Sequence, residues 1–154
     1  MHDSRKQFHY SLDSLLGKRH FDLAVLKIEE AHAQQAFSEK VRELDALVKR
    51  VIHLEDEIRR VQSGETPIIP DRLNSMMLFL KHQRENVEQK VKERQQVELV
   101  HQQITQQIRT LKQSIKSLEK NKASKQQQYA TLQRRAGFIE MDNLWLARKQ
   151  NSQA

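Results

Sequence analysis

Histidine is the residue type in this sequence whose spacing would most readily reveal a metal site. Seven occur, at positions 2, 9, 20, 32, 53, 82 and 101. No two stand four residues apart, the spacing that places two imidazoles on one helix face around a zinc ion. We therefore interpret them as solvated helix surface and predict no metal ligands.

Patterns typical of catalysis or cofactor binding are also missing from the sequence. The three glycines, at positions 17, 64 and 137, are isolated and form no phosphate-cradling loop. No nucleophile has a neighbouring base, and long paired helices offer no enclosed pocket in which pKa values would shift. Because cysteine is absent, we expect neither disulfides nor Cys-based zinc sites, as suits a reducing compartment. The sequence predicts a non-enzymatic protein without a cofactor.

The composition favours long helices over a thick globular core. Only three glycines and two prolines occur, while 37% of the residues are hydrophobic and 31% are charged. That balance suits a narrow apolar seam between helices. No stretch approaches the roughly 20 apolar residues that span a bilayer, and the first residues do not form a secretory signal. We expect one cytoplasmic domain over residues 1–154.

Two segments carry a heptad pattern, with seam positions alternating three and four residues apart. The first pattern is formed by Leu12, Leu16, Arg19, Leu23, Leu26, Glu30, Ala33, Phe37, Lys40, Leu44, Leu47, Val51, Leu54, Ile58 and Val61. The second is formed by Leu80, Gln83, Val87, Lys90, Arg94, Val97, His101, Ile104, Ile108, Leu111, Ile115, Leu118, Lys122, Lys125, Tyr129, Leu132, Ala136 and Ile139. The charged positions cost stability but help to fix register.

Glycine and proline cluster between the two patterns, at Gly64, Pro67 and Pro70. We predict a helix over about residues 5–62, a turn over about 63–70 and a helix over about 71–149, with Asp71 as N-cap. One short break between two long helices favours an all-α antiparallel two-helix coiled coil, or helical hairpin.

The predicted arms are unequal, and the C-terminal arm is the longer. From about Tyr129 onward the second helix should extend past the first and remain unpaired. This segment is nevertheless rich in large apolar residues, namely Leu132, Phe138, Ile139, Met141, Leu144, Trp145 and Leu146. Exposed apolar surface of this size is typical of a protein-binding site.

Two other stretches have more than one interpretation. The apolar run of Leu73 and Met76 to Leu80 favours packing at the hairpin tip, with adaptable partner binding as the alternative. The stretch from Arg109 to Arg135 sets eight basic residues against the single acid Glu119. It could be a solvated face, a phosphate-binding surface or a match to an acidic protein. Because Tyr129 is its only aromatic, nucleic acid is the less favoured partner.

The opening Phe8-x-x-x-Leu12-x-x-Leu15-Leu16-x-x-Arg19, followed by a long heptad helix, resembles the FliJ/YscO (SctO) family. The likeness extends to chain length, the mid-chain break and the longer second arm. These proteins are the central stalks of type III export machines, flagellar or injectisome. The resemblance implies a non-catalytic stalk at the cytoplasmic face of the apparatus, associated with the membrane only through that apparatus.

The resemblance also implies partners: a hexameric export ATPase, which the stalk enters and activates, an export gate protein and substrate chaperones. The expected ring-binding residues are Phe8, Leu12, Leu15, Leu16, Arg19, Phe138, Ile139, Met141 and Trp145. The expected gate or chaperone contacts are Met76, Met77, Phe79 and Leu80. Two alternatives remain, a scaffolding coiled coil that self-associates through residues 132–146 and a basic coiled coil that binds nucleic acid.

Overall fold

The computed structural model describes residues 7–153, and their regular structure consists of two helices. Helix α1 spans Asp13–Gln62 and helix α2 spans Pro70–Ser152. They pack antiparallel, and α2 has 83 residues against 50 in α1. This confirms the predicted all-α hairpin with a longer second arm. Neither helix, over the residues described, has a stretch apolar enough to cross a bilayer.

Tertiary contacts divide the chain into two units that share these helices. Unit 1 contains the described residues of Met1–Ala24 and Arg109–Ala154, and unit 2 is Val25–Ile108. Single-domain behaviour over residues 1–154 therefore stays a prediction.

The core of unit 2 lies on the predicted seam. Val51, Ile58 and Leu80 are buried together. The partly buried side chains packed against them are those of Leu54, Leu73, Met76 and Val87. Five of these seven residues occupy predicted heptad positions, so the sequence periodicity identified most of this cluster. Leu73 and Met76 precede the predicted seam and extend it by about two helical turns towards the bend.

Unit 1 combines seam residues with an aromatic side chain from outside the pattern. Leu16, Leu111 and Ile115 are buried, as the heptads predict. Tyr10 is also buried, and its hydroxyl lies 2.8 Å from Asn121 Oδ1 and 3.3 Å from the Leu118 carbonyl oxygen. A buried tyrosine needs a partner for its hydroxyl, and both acceptors are on α2. The hydrogen bonds of Tyr10 thus hold the segment before Asp13 against α2.

Helix α1 begins at Asp13, which corrects the predicted start near residue 5. Residues 5 and 6 lie outside the described part, residues 7–10 are not helical, and residues 11 and 12 form a turn. The amide of Asp13 donates to the Tyr10 carbonyl at 3.1 Å. The Asp13 carboxylate accepts a hydrogen bond from Lys122 Nζ at 2.8 Å and lies in the first turn, where the helix dipole favours a negative charge. The heptad pattern itself starts only at Leu12.

The bend is formed by glycine and proline in different roles. Gly64 has φ +85°, and the Glu65 amide donates to the Arg60 carbonyl at 3.2 Å. This is a Schellman-type end, in which a residue with left-handed backbone closes the helix. Pro70 begins α2, where its missing amide costs nothing. Asp71 is therefore in the first turn of α2 and is not the predicted N-cap, and α2 ends at Ser152 rather than near Lys149.

A cluster of four charges replaces apolar packing in the middle of unit 2. Lys40 Nζ lies 3.2 Å from Glu93 and 3.4 Å from Glu43. Lys90 Nζ lies 3.0 Å from Glu43 and 3.2 Å from Glu93. Each lysine thus contacts one acid on its own helix and one on the other. Because a register shift would break both contacts between the helices, Lys40–Glu93 and Lys90–Glu43, we infer that the cluster aligns the helices.

The charge cluster makes stability depend on pH in a defined direction. Hydrogen bonds from Lys90 and Lys40 lower the pKa of Glu43, and those from Lys40 and Lys90 lower the pKa of Glu93. A carboxylate whose pKa is lower in the folded state stabilises the protein at pH values above its unfolded-state pKa. This stabilisation is lost as the pH falls through the folded-state pKa. We expect the melting temperature to begin to fall near the ordinary glutamate pKa of about 4.3 and to keep falling below it.

The measurement is thermal unfolding followed by circular dichroism across this acidic range. Glu43→Gln with Glu93→Gln should flatten the dependence. Glu29→Gln, at an exposed position without an ion pair to any described residue, serves as the matched control. Equal pH dependence in the double variant and the control would contradict the role given to the cluster.

Candidate functional site

The C-terminal part of α2 exposes large apolar side chains, which we call the apolar tail. It comprises Leu132, Phe138, Ile139, Met141, Leu144, Trp145 and Leu146, each between 50% and 68% exposed. By contrast, Leu111 and Ile115 on the same helix are 8% and 6% exposed. The expected bare apolar surface is therefore present, and α1 does not cover it.

The paired part of unit 1 gives way to the apolar tail near Tyr129. The ring of Phe8 packs against that of Tyr129, with centroids 5.6 Å apart and planes tilted by 54°. The Gln133 side-chain amide donates to the Tyr129 hydroxyl at 2.8 Å. Phe138 follows nine residues later, which is about 14 Å further along the helix. The heptad spacing of α2 continues through Leu132, where α1 no longer provides a partner.

The apolar tail presents apolar side chains on two sides of the helix. Leu132 and Ile139 continue the heptad stripe, and Phe138, Met141 and Trp145 share another side by their spacing of three and four residues. A helix that is apolar on more than one side is usually buried from more than one side. Lys149 Nζ lies 5.0 Å from the centre of the Trp145 ring, a cation–π contact that leaves this ring 61% exposed. Apolar side chains are therefore accessible on more than one side of this part of α2.

The predicted N-terminal ring contacts differ in accessibility. Leu16 is buried, and Phe8 and Arg19 are half-buried, so these three contribute to packing within unit 1. Leu12 and Leu15 are exposed. Arg19 also has a buried Nε without a hydrogen-bond partner among the described residues. A polar atom left in this state weakens the seam locally.

The nine predicted ring contacts therefore form two groups on unit 1. One group lies around the start of α1, where the chain packs against α2. The other lies on the apolar tail, beyond Tyr129. Leu132, Leu144 and Leu146 belong to the same exposed surface as the second group. The sequence identified them as apolar tail residues, although they were not among the predicted ring contacts.

The apolar run after the bend divides between packing and exposure. Leu80 is buried and Met76 is half-buried in the unit 2 core, so neither offers a free contact surface. Met77, Leu78 and Phe79 are exposed. The favoured tip packing is thus right for one side of the run, and the alternative of accessible surface holds for the other. Five consecutive residues of a helix point in all directions, so one partner helix covers only some of them.

Two further exposed apolar residues precede this run in the bend, and we call all five together the tip surface. It consists of Ile68, Ile69, Met77, Leu78 and Phe79. A groove of about 440 Å³ nearby is lined by residues that include Val61, Ile69, Leu73 and Met76. The sequence interpretation missed Ile68 and Ile69 because they were assigned only to the turn. Two adjacent isoleucines next to Pro70, where no heptad partner is available, were the signal for their exposure.

Within residues 7–153, no group of three or more His, Asp or Glu side chains is arranged to hold a metal ion. Comparisons with protein-family models, with curated proteins and with solved structures find no match for this chain. The two long antiparallel helices place this protein in the class of coiled-coil-like helical hairpins.

Proposed function

We propose that this protein is the non-catalytic central stalk of a type III protein export apparatus, flagellar or injectisome. In this role it enters and activates the hexameric export ATPase. The observation that carries the proposal is the apolar tail, exposed on two sides of α2. The resemblance of the opening from Phe8 to Arg19 to the FliJ/YscO family supplies the identity of the partner.

A ring of subunits is the kind of partner that this geometry favours. A single partner helix would cover one stripe of the apolar tail and leave Phe138 and Trp145 or the heptad stripe in water. A ring contacts a central helix from several sides and would cover both. Exposed apolar area of this extent is costly unless it serves binding. The longer second arm provides the segment that would be inserted.

The tip surface is proposed to contact the export gate or substrate chaperones. It lies at the bend, within unit 2, whereas the apolar tail belongs to unit 1. Met77 and Phe79 are the accessible members of the set that the resemblance suggests. Methionine is flexible and polarisable, so it adapts to more than one partner surface. The stalk would link the ATPase to these partners at the cytoplasmic face of the apparatus.

The test is to add the purified protein to a hexameric type III export ATPase of the same organism and to measure ATP hydrolysis. We expect the rate to rise with stalk concentration and to saturate at substoichiometric amounts, because one stalk serves six subunits. A pull-down should recover the ATPase in the same range. An unchanged hydrolysis rate with no ATPase in the pull-down would overturn the proposal.

Self-association is the second candidate, and the continued heptad stripe favours it. Leu132, Ala136 and Ile139 are exposed and carry on the seam that pairs the two helices of this chain. A second copy could pair along this stripe. Sedimentation equilibrium would then give a dimer that Ile139→Glu dissociates. A monomer over the micromolar range would remove this candidate and leave the apolar tail free for a ring.

A further inference from the structure

Positive charge is concentrated in unit 1. Its described residues contain 12 Lys and Arg against 5 Asp and Glu, whereas unit 2 contains 13 against 14. The net charge of +7 for the whole chain therefore arises almost entirely from unit 1. Such an asymmetry between parts of one chain indicates an anionic partner for the basic part.

The most regular part of this charge is a row that we call the basic stripe, Lys112, Lys116 and Lys120. Residues four apart lie on one helix face, about 6 Å apart along the axis. All three are exposed, and none forms an ion pair with any residue in the described part of the chain. The nearby acid Glu119 is engaged by His20 at 3.4 Å.

Ordinary packing does not account for the basic stripe. Helix α2 turns Leu111 and Ile115 towards α1, and the stripe lies on a different side. Like charges four residues apart on a helix repel each other. Three such lysines without a compensating acid destabilise the helix slightly. A bound anionic surface would remove this repulsion.

We infer that the basic stripe binds an acidic protein surface, on the same partner that covers the apolar tail. Protein interfaces combine an apolar centre with a charged rim. The apolar tail offers the first, and the basic stripe, on the same helix, offers the second. Complementary rim charge mainly increases the association rate and fixes orientation. The inference needs a partner for the apolar tail, whether or not that partner is the export ATPase.

Nucleic acid fits these observations less well. Residues 110–128 contain no aromatic side chain on which bases could stack. The ring of Tyr129 packs against Phe8. The basic stripe is a single row of lysines and lacks the planar arginine fork that binds phosphate in a bidentate manner. An anionic membrane also fits less well, because Glu140 and Asp142 lie within the apolar tail and would face the lipid headgroups.

The test compares two charge-reversal variants of the full chain. One replaces Lys112, Lys116 and Lys120 with glutamate. The matched control replaces three exposed lysines of unit 2 with glutamate, namely Lys27, Lys81 and Lys92. It therefore changes the net charge by the same amount. The probes are a poly-L-glutamate peptide of about 20 residues, a DNA duplex of similar charge and phosphatidylserine vesicles, each titrated at several salt concentrations.

We expect the stripe variant to lose about tenfold or more in affinity for poly-L-glutamate at low salt, and the control to stay within about threefold. Raised salt should reduce the difference. Equal losses in the two variants would mean that only net charge matters, and would overturn the inference. Tighter binding of duplex DNA or vesicles than of poly-L-glutamate, lost in the stripe variant, would assign the basic stripe to that other class of partner.

A second measurement separates this inference from the proposed function. With the export ATPase, the stripe variant should need about tenfold more protein for half-maximal activation and should reach the same plateau, because a rim charge affects association. A lower plateau at unchanged half-maximal concentration would contradict the rim role. If the wild-type protein activates no ATPase yet binds poly-L-glutamate through the basic stripe, the proposed function fails and the inference remains.

Discussion

Replacing Phe138, Met141 and Trp145 together with alanine is expected to abolish activation of the export ATPase and to leave the fold unchanged. All three side chains are exposed and share one side of α2. Fully burying a large apolar side chain contributes about 1.5–3 kcal/mol. Losing three such contacts corresponds to a loss of binding of about a thousandfold or more. Alanine has the highest helix propensity, so α2 should remain helical.

The control for this experiment replaces Ile52, Leu99 and Val100 with alanine. These residues are also exposed apolar side chains, smaller than the three of the apolar tail, and they lie in unit 2. The control should activate the ATPase as the wild-type protein does. Circular dichroism should show the same helix content for all three proteins. Full activation by the apolar tail variant, or equal loss in the control, would rule out the apolar tail as the ring-binding surface.

Truncation after Gly137 removes the same side chains by a different route. It deletes the last 17 residues and keeps Tyr129 and its contact with Phe8. We expect the truncated protein to lose activation of the ATPase. Its melting temperature should change little, because the deleted residues that the structure describes are all exposed. A large fall in melting temperature would show that the apolar tail stabilises the hairpin itself.

Replacing Ile58 with alanine is expected to lower the free energy of unfolding by about 2–4 kcal/mol. Ile58 is 6% exposed and packs with Val51 and Leu80 in the unit 2 core. The substitution removes apolar contacts and leaves a cavity that two helices can only partly close. Such a loss is a large fraction of the stability of a domain of this size. Urea unfolding followed by circular dichroism measures it.

Ile52→Ala is the matched control, since it is the same substitution on the same helix. Ile52 is 52% exposed and lies off the seam. We expect a change within about 0.5 kcal/mol, with a small gain from the higher helix propensity of alanine. Similar losses at both positions would mean that the seam assignment is wrong and that exposure does not decide the energetics of this helix.

The sequence alone determined the helices, their antiparallel pairing and most of the seam. Heptad spacing is a local property of the chain, because residues three and four apart share a helix face whatever the partner is. Leu16, Val51 and Ile115 were therefore identified as seam residues without any structure, and each is buried. The break at Gly64 and Pro70 was readable for the same reason, since both residues act on the local backbone.

The exposure of the apolar tail was also predicted from the sequence, because it follows from the number of residues on either side of the bend. Once the hairpin is folded about that bend, the shorter arm ends before Leu132. The sequence also identified the charged residues of the seam, but it did not predict which residues they pair with. That Lys40 would meet Glu93, and Lys90 would meet Glu43, depends on the register of two distant segments.

Only the tertiary structure decided where α1 begins and how the run after the bend divides. Tyr10 finds acceptors on Leu118 and Asn121, more than a hundred residues away, and residues 7–10 are not helical. Met76 packs inward and Phe79 outward because α2 enters the hairpin at one particular rotation. Periodicity shows which residues share a face, but in a run that is apolar on every side, as residues 76–80 are, only contact with the other helix decides which side is turned inward.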